Sequence, residues 1–395
     1  MKVLHVIPSV SPVRGGPSQA VLEMVNALTQ KGIVAEVVTT NDHGDEILEV
    51  PLGQWIRYPL PSSTQTASVC FFPRFSPRTA AIREFAFSAR FTKWLWNNIS
   101  NYDLVHIHAI FSYPSTIAMS IARLRKVPYM VRPIGQLCEW SLQQSYRKKQ
   151  IYLNLIERAN LNHSQLLHLT SGQEQQEVAK LHLKVANFVL PLGFSFPPLV
   201  PEARQRLRQH LNLPSDELII LFLSRLHPKK GLDYLIPALG KLAKYRFTFV
   251  VAGSGELDYE AHLEALLTTH GIRDRTRFVG FVEGETKNLL LQGSDLFTLT
   301  SHSENFGIAV LEAMAFGLPI LVTPGVALAS EIGRYQLGYV TSLDISEITM
   351  RLEQYLVDQR QGRQMGEQAC QFVQRHYTWN QIATELLQIY QTVVN

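Results

Sequence analysis

SDLFTLTSHSENFGIAVLEAMAFGLPILVT, residues 294–323, decides how this chain is read. Residues 294–300 form a short apolar run with the character of a buried strand. SHSENF then reads as the loop at its carboxyl end. From Gly307 to Phe316, Ile308, Leu311 and Ala315 repeat at i, i+3 and i+7, which predicts a helix, and Gly317 and Pro319 stop it. LPILVT, 318–323, is a second apolar run. Strand, loop, helix and strand in so short a span make a parallel pair with a helical crossover. The same stretch carries Glu304 in the loop and Glu312 about one and a half turns into the helix, at roughly 3.6 residues per turn. An unpaired carboxylate on a helix of Ala, Met, Phe and Leu would be costly to bury. Glu312 therefore calls for a donor: an arginine, or the hydroxyls of a sugar or ribose.

The unit recurs outward from this stretch. ELIILFLSR (217–225), FTFVVAG (247–253) and TRFVGF (276–281) are further strand candidates, with helical segments between them. Their apolar runs are nearly continuous, as parallel strands covered on both faces require. The first half repeats the pattern with KVLHVI (2–7), IVAEVVTT (33–40), DLVHIH (103–108), PYMVR (128–132), QLLHLT (165–170) and NFVLP (187–191). Four prolines within Pro191–Pro201 mark a connector. The expectation is an α/β protein of two doubly wound Rossmann-like domains facing across a cleft. The boundaries are 1–195 plus a C-terminal helix at 379–395 for the first domain, and 196–378 for the second.

A chain of 395 residues is long enough for two such cores, and 46% hydrophobic with 18% charged residues is a globular composition. The three cysteines, Cys70, Cys138 and Cys370, are too scattered for a disulfide framework or a zinc site, which fits a reducing compartment. The start lacks a signal-peptide pattern, and no apolar run reaches the roughly 18 residues of a transmembrane helix. A cytoplasmic protein is expected. Residues 1–190 carry 19 Lys+Arg against 12 Asp+Glu, whereas the remainder carries 18 against 21. The basic half points to an acidic partner, a phosphate-bearing substrate, an anionic membrane surface or nucleic acid, and a mildly basic soluble protein is the plain alternative.

In a doubly wound fold, ligands gather at the carboxyl ends of strands, so the polar residues just past strands are the candidates. Gly15 and Gly16 follow the first strand and open the first helix. They allow close backbone approach, and the helix N-terminus offers free N–H groups to an anion; the plain reading is a tight turn. The stretch is not G-x-G-x-x-G, so no dinucleotide site is indicated. His106 and His108 point to one face of a strand, with His108 at its end, while His5 and His168 read as core residues. A metal pair at His106 and His108 lacks an obvious third ligand. Arg225 stands just past one strand and Lys230 five residues on, two cations suited to a diphosphate, or else solvated loop charges.

Taken in order, GGP after the first strand, His108, SRLHPKKGLDYLI, VAGSGE, VGFV and E-x7-E followed by GLPIL resemble the retaining nucleotide-sugar glycosyltransferases of the GT-B fold, family 4, over nearly the whole chain. The resemblance implies transfer of a hexose from a nucleotide-diphosphate sugar, UDP- or GDP-linked, to a hydroxyl acceptor in polysaccharide, lipopolysaccharide or glycolipid assembly. It implies that Glu304 faces the donor sugar and Glu312 the ribose hydroxyls. Arg225 and Lys230 would bind the diphosphate, with the Gly16 N–H. Asn305, Phe306 and Gly307 would present backbone amides to the sugar, and the backbone at Phe281 and Val282 would read the base. His108 would lie near the sugar's C6 hydroxyl and the reaction centre, and the helix of W379NQIATELLQIY would cross back to the first domain. No metal and no cofactor is implied beyond the donor substrate, and no D-x-D motif is evident.

The acceptor side is less legible. Read as one helix, TAAIREFAFSARFTKWLWNN (79–98) sets Arg83, Arg90, Lys93 and Asn97 on one face and Phe91, Trp94 and Leu95 on another, with SYRKKQ (145–150) a second basic cluster. Peripheral contact with the inner face of a membrane is one reading, and a helix whose apolar stripe is core is the other. A carbohydrate or lipid-linked acceptor is expected, and no nucleic acid. The alternatives to a transferase are a sugar-nucleotide epimerase, a sugar phosphorylase, and a non-catalytic sugar-nucleotide-binding protein.

Overall fold

A computed structural model describes residues 1–60, 65–79 and 83–394. The chain divides into two compact units, Met1–Ser195 with Tyr377–Asn395, and Phe196–His376.

In the second unit, six strands lie in the order Thr276–Gly280, Phe247–Ala252, Leu218–Leu223, Leu296–Leu299, Ile320–Val322 and Tyr339–Val340, and every neighbouring pair is parallel. Counted in chain order this is 3-2-1-4-5-6, a doubly wound sheet. Every residue of Phe247–Ala252 is buried, which is why its sequence does not alternate. The order reverses between Leu218–Leu223 and Leu296–Leu299. Consecutive connections leave these two strands in opposite directions, the place where doubly wound folds take their ligands.

The first unit holds eight strands in the order Asn187–Val189, Leu166–Leu169, Tyr129–Arg132, Leu104–His108, Lys2–Val6, Val34–Thr40, Thr66–Phe72 and Trp55–Pro59. All pairs are parallel except the last, which is antiparallel. Its switch point lies between Lys2–Val6 and Leu104–His108. The hairpin-like edge pair, Trp55–Pro59 with Thr66–Phe72, did not figure among the expected strands. The final helix, Trp379–Val394, belongs to this unit; it buries Trp379, Ile382, Ala383, Leu386 and Tyr390 at helical spacing and lies against the helix Gly16–Gln30.

The single helix expected over 79–98 is corrected to a shorter one, Ala89–Asn98, capped by Ser88, whose Oγ accepts from Phe91 N–H. Ala86 sits in the left-handed region at φ 57 and breaks the chain direction ahead of it. Residues 80–82 lie outside the described residues. Arg83 is therefore not on that helix; it pairs with Asp45. Phe91 and Leu95 are fully buried and Trp94 packs against the same core, so the apolar stripe is core.

Candidate functional site

In the second unit the site is built around the switch point. Ser224–Gly231 follows the strand Leu218–Leu223, and its path is held by two glycines of the neighbouring loop. A Cβ on Gly253 would lie 1.9 Å from Ser224 O, and one on Gly255 would lie 2.3 Å from Leu226 O. Pro228–Lys230 forms a single tight turn whose Lys229 N–H donates to His227 Nδ1 at 3.0 Å. Gly231 follows at φ +68, and Thr300 Oγ1 donates to its carbonyl at 2.9 Å. Thr300 directly follows the adjacent strand Leu296–Leu299, so these contacts bring the loop carrying Lys230 to the loop carrying Glu304. There, Lys230 Nζ donates to Glu304 Oε2.

Glu304 is itself fixed through its backbone. Its N–H donates to Gly325 O at 2.7 Å, and its carbonyl accepts from Ala327 N–H at 3.1 Å. Gly307, at φ +87, opens the helix Ile308–Ala315 without a side-chain cap, which leaves its first amides to other partners. Asn305 is half-buried and Phe306 buried. Arg225 is exposed and makes no side-chain hydrogen bond with a described residue. Burial first, and then the positive charges of Arg225, Lys229 and Lys230, press His227 below its ordinary value, a local sign that this loop is electropositive.

Glu312 finds its donor in Lys287, whose Nζ lies 2.8 Å from Oε1. Lys287 sits on the helix Gly284–Gly293, which begins two residues after Val282. Phe281 is 57% exposed at the end of the edge strand Thr276–Gly280, and Val282 is half-buried. Arg225, Lys230, Glu304 and the helix start at Gly307 thus gather at the switch point, while Phe281 and Val282 stand at the sheet's edge, two strands from Leu218–Leu223.

In the first unit, Gly15 takes φ +81 and precedes the helix Gly16–Gln30. Arg14 is engaged elsewhere; it grips Asp42 through Nε and Nη2 at 2.6 and 2.8 Å and also reaches Glu84. His108 is wholly buried, in a cluster with His5, His106, His168, Tyr390 and Arg132. The protons of part of this cluster follow from chemistry. Leu190 O can only accept, so His168 Nε2 donates to it, at 2.9 Å. His168 Nδ1 then accepts from His106 Nε2 at 3.4 Å, and His106 Nδ1 accepts from Tyr390 O–H at 2.7 Å. His5 Nδ1 and His108 Nε2 share one further hydrogen bond at 3.0 Å. His5 and His168 are buried core residues, as expected, and are also members of this polar network. Burial first, then the Arg132 charge, lowers both to about 3, and burial holds His106 and His108 well below their ordinary value.

His5, His106 and His108 bring ring nitrogens within 4.8 Å of one another, which supplies the third potential metal ligand that the sequence did not reveal. The Arg132 charge beside them opposes a cation, so the donor set fits shared protons better than a metal. Arg132, Tyr390 and Lys287 were missed from sequence. Arg132 alone carried a signal, as the last residue of a strand.

Comparison with known proteins bears on this arrangement. The model of the glycosyl transferase 4-like domain matches residues 15–193, and that of glycosyl transferases group 1 matches residues 203–372. An uncharacterized glycosyltransferase of Methanocaldococcus jannaschii is 33% identical over 302 residues, 74% of this chain and 76% of that protein. The D-inositol 3-phosphate glycosyltransferase of Jonesia denitrificans is 23% identical over 418 residues, 99% and 95% of the two chains. Among solved structures, sucrose-phosphate synthase of Thermosynechococcus elongatus superposes with a TM-score of 0.78 at 19% identity, over 99% of each chain. The HepE protein of Anabaena, in complex with UDP and glucose, gives 0.75 at 18% identity, over 99% of this chain and 100% of its own. The chain belongs to the glycosyltransferases of the GT-B fold, family 4.

Proposed function

We propose that the protein is a retaining hexosyltransferase that takes its sugar from a nucleotide diphosphate and needs no metal to do so. The observation that carries this reading is the meeting of Lys230 and Glu304 at a switch point, with Arg225 exposed on the same loop. A diphosphate there would compete with Glu304 for Lys230 and gain a bidentate partner in Arg225. As the anomeric C–O bond breaks, negative charge grows on the leaving diphosphate. Lys230, Arg225 and the open amides at Gly307 would stabilise that charge more than the ground state, which is the requirement for catalysis. The acceptor hydroxyl attacks from the same face, and its proton leaves with the diphosphate. Glu304 would orient the sugar, and Glu312 would take the ribose hydroxyls. The Phe281–Val282 backbone would meet the base. UDP-glucose bound by a neighbour in fold, HepE, makes UDP-sugars the first donors to try.

For the acceptor we propose a carbohydrate or lipid-linked hydroxyl. No helix among the described residues is long and apolar enough to cross a membrane. Tyr146, Ile151 and Leu155 are exposed beside Arg147 and Lys148, which suits peripheral contact with an anionic surface. Incubation with labelled UDP-, GDP- and ADP-sugars, with and without candidate acceptors, tests the reading. Release of nucleoside diphosphate that depends on acceptor, and that persists in excess EDTA, is expected. Loss of turnover in EDTA restored by Mg²⁺ would remove the metal-free step, and binding without turnover for any acceptor would leave a sugar-nucleotide sensor.

A further inference from the structure

We infer that Arg132, with His108 and the first turn of the helix Gly16–Gln30, forms a binding site for a phosphate group at the switch point of the first unit. Arg132 ends the strand Tyr129–Arg132 and pairs in register with His108, the last residue of the adjacent strand Leu104–His108. That strand neighbours Lys2–Val6, the strand leading into Gly15–Gly16. The three elements thus converge at the carboxyl end of the sheet where its strand order reverses, the end at which doubly wound folds take ligands.

The arginine itself is anomalous. It is fully buried, yet among the described residues Nε and Nη1 have no hydrogen-bond partner, and Nη2 reaches only Pro17 O, at 3.5 Å. No carboxylate forms an ion pair with it among the described residues. The acid whose charge it feels, Glu174, has both oxygens occupied, by Gly135 N–H at 2.7 Å and by the Thr170 N–H and Oγ at 2.8 and 2.9 Å. A buried guanidinium without a counter-charge is strongly unfavourable. Its surroundings do not relieve it. Burial lowers it to about 10, so it stays charged at neutral pH, and the imidazoles beside it are neutral. Pro17 belongs to a helix N-terminus without a side-chain cap, itself partially positive. Two more buried ring nitrogens, His108 Nδ1 and His5 Nε2, also lack partners. One is an N–H, because the pair shares a single hydrogen bond. Unpartnered donors around an uncompensated cation, next to a helix start, are what an oxyanion satisfies, and a guanidinium fork matches the geometry of phosphate.

The phosphate would come either from a donor diphosphate or from a phosphate borne by the acceptor. The use of the site in transfer rests on the function proposed above; its existence does not. Thermal unfolding of the full chain is followed against inorganic phosphate, with sodium chloride holding ionic strength constant, for the wild type, Arg132→Met and Arg132→Gln. Phosphate is expected to raise the wild-type transition and to act about ten-fold more weakly, or not at all, on the neutral variants. Without phosphate, Arg132→Met is expected to melt no lower than wild type, since a charge lacking a partner has been replaced by an apolar chain. If Met does not fold, Gln is read. Equal phosphate responses in wild type and a folded neutral variant would overturn the site.

Repeating the titration with saturating UDP, GDP or ADP separates the sources: competition assigns the site to the donor, and an additive shift assigns it to the acceptor. Absence of any nucleotide shift would count against the transferase reading alone. Crystals soaked in phosphate give a test that needs no variant. A tetrahedral peak within hydrogen-bond distance of Arg132 Nε and Nη1 is expected, and water molecules in its place would overturn the inference.

Discussion

Lys230 and Glu304 neutralise one another across two loops, so removing either should lower turnover, while the effect on stability depends on which partner is left behind. Glu304 keeps 22% of its side-chain surface and can be solvated when Lys230 is gone. Glu304→Gln and Lys230→Ala are each expected to lower kcat by about 10² or more with the fold intact; the melting temperature should stay close to that of the wild type for Lys230→Ala and fall for Glu304→Gln, which leaves the buried Lys230 ammonium without its partner. Wild-type turnover in either purified variant would refute the assigned roles. Lys287 calls for a different signature. It donates to one oxygen of Glu312, and in the function proposed above the other oxygen would take a ribose hydroxyl, so Lys287 would act through that carboxylate. Lys287→Met is expected to raise KM for the donor about ten-fold, the equivalent of about 1.4 kcal/mol, with kcat little changed, and Lys287→Arg should recover most of it. An equal fall in kcat would mean that Lys287 serves the transition state instead. The need behind this pair was legible: a carboxylate on an apolar helix requires a donor. Its identity was not, because Lys287 stands 25 positions away on another helix, and only the packing of the two helices sets the distance.

The elements that carry these side chains depend on glycines whose reasons are tertiary. Gly231 takes φ +68, and a Cβ there would lie 2.0 Å from Thr300 O, whereas Gly271 takes the same φ with open space around it. Gly271→Ala should therefore cost only the left-handed backbone preference, about 1–2 kcal/mol. Gly231→Ala should cost more and should also displace the turn that delivers Lys230, so that activity falls while the sheet persists. Circular dichroism and turnover on the two variants check this, and equal behaviour would show that the contact with Thr300 does not set the position of Lys230. Strand-to-helix order could be read from apolar runs and breakers, because parallel strands buried on both faces leave a plain signal in ELIILFLSR and FTFVVAG. The antiparallel edge strand Trp55–Pro59 left a weak one: its residues alternate between exposed and half-buried, so no continuous apolar run marks it. The helix Ala89–Asn98 was overextended because the sequence does not announce the left-handed turn at Ala86.

At the scale of the molecule, two cores of similar architecture differ in how they respond to acid. The first unit encloses four buried histidines, His5, His106, His108 and His168, and the second has no comparable cluster among its described residues. The unfolded chain protonates such residues near 6.5, whereas His5 and His168 in the folded unit do so only near 3, and the other two well below their ordinary value. Between those limits the unfolded state binds more protons, so stability falls as pH falls. It is fully present above about 6.5 and is lost progressively toward 3. Each histidine kept neutral contributes a slope of up to about 1.4 kcal/mol per pH unit. The histidines themselves were visible in VHIH and QLLHLT. Their convergence was not, since Tyr390, the donor that closes the chain of hydrogen bonds, arrives from a helix 284 positions beyond His106. Hydrogen exchange on the intact protein, corrected for intrinsic rates, should show protection of Leu104–His108 and Leu166–Leu169 weakening from pH 7 to 5 more than that of Phe247–Ala252. In His168→Gln, where an amide N–H can still donate to Leu190 O, the difference should shrink by one histidine's share. Parallel loss of protection in both units, or a slope unchanged by the substitution, would mean that acid acts on the whole chain and that the buried network is not its point of entry.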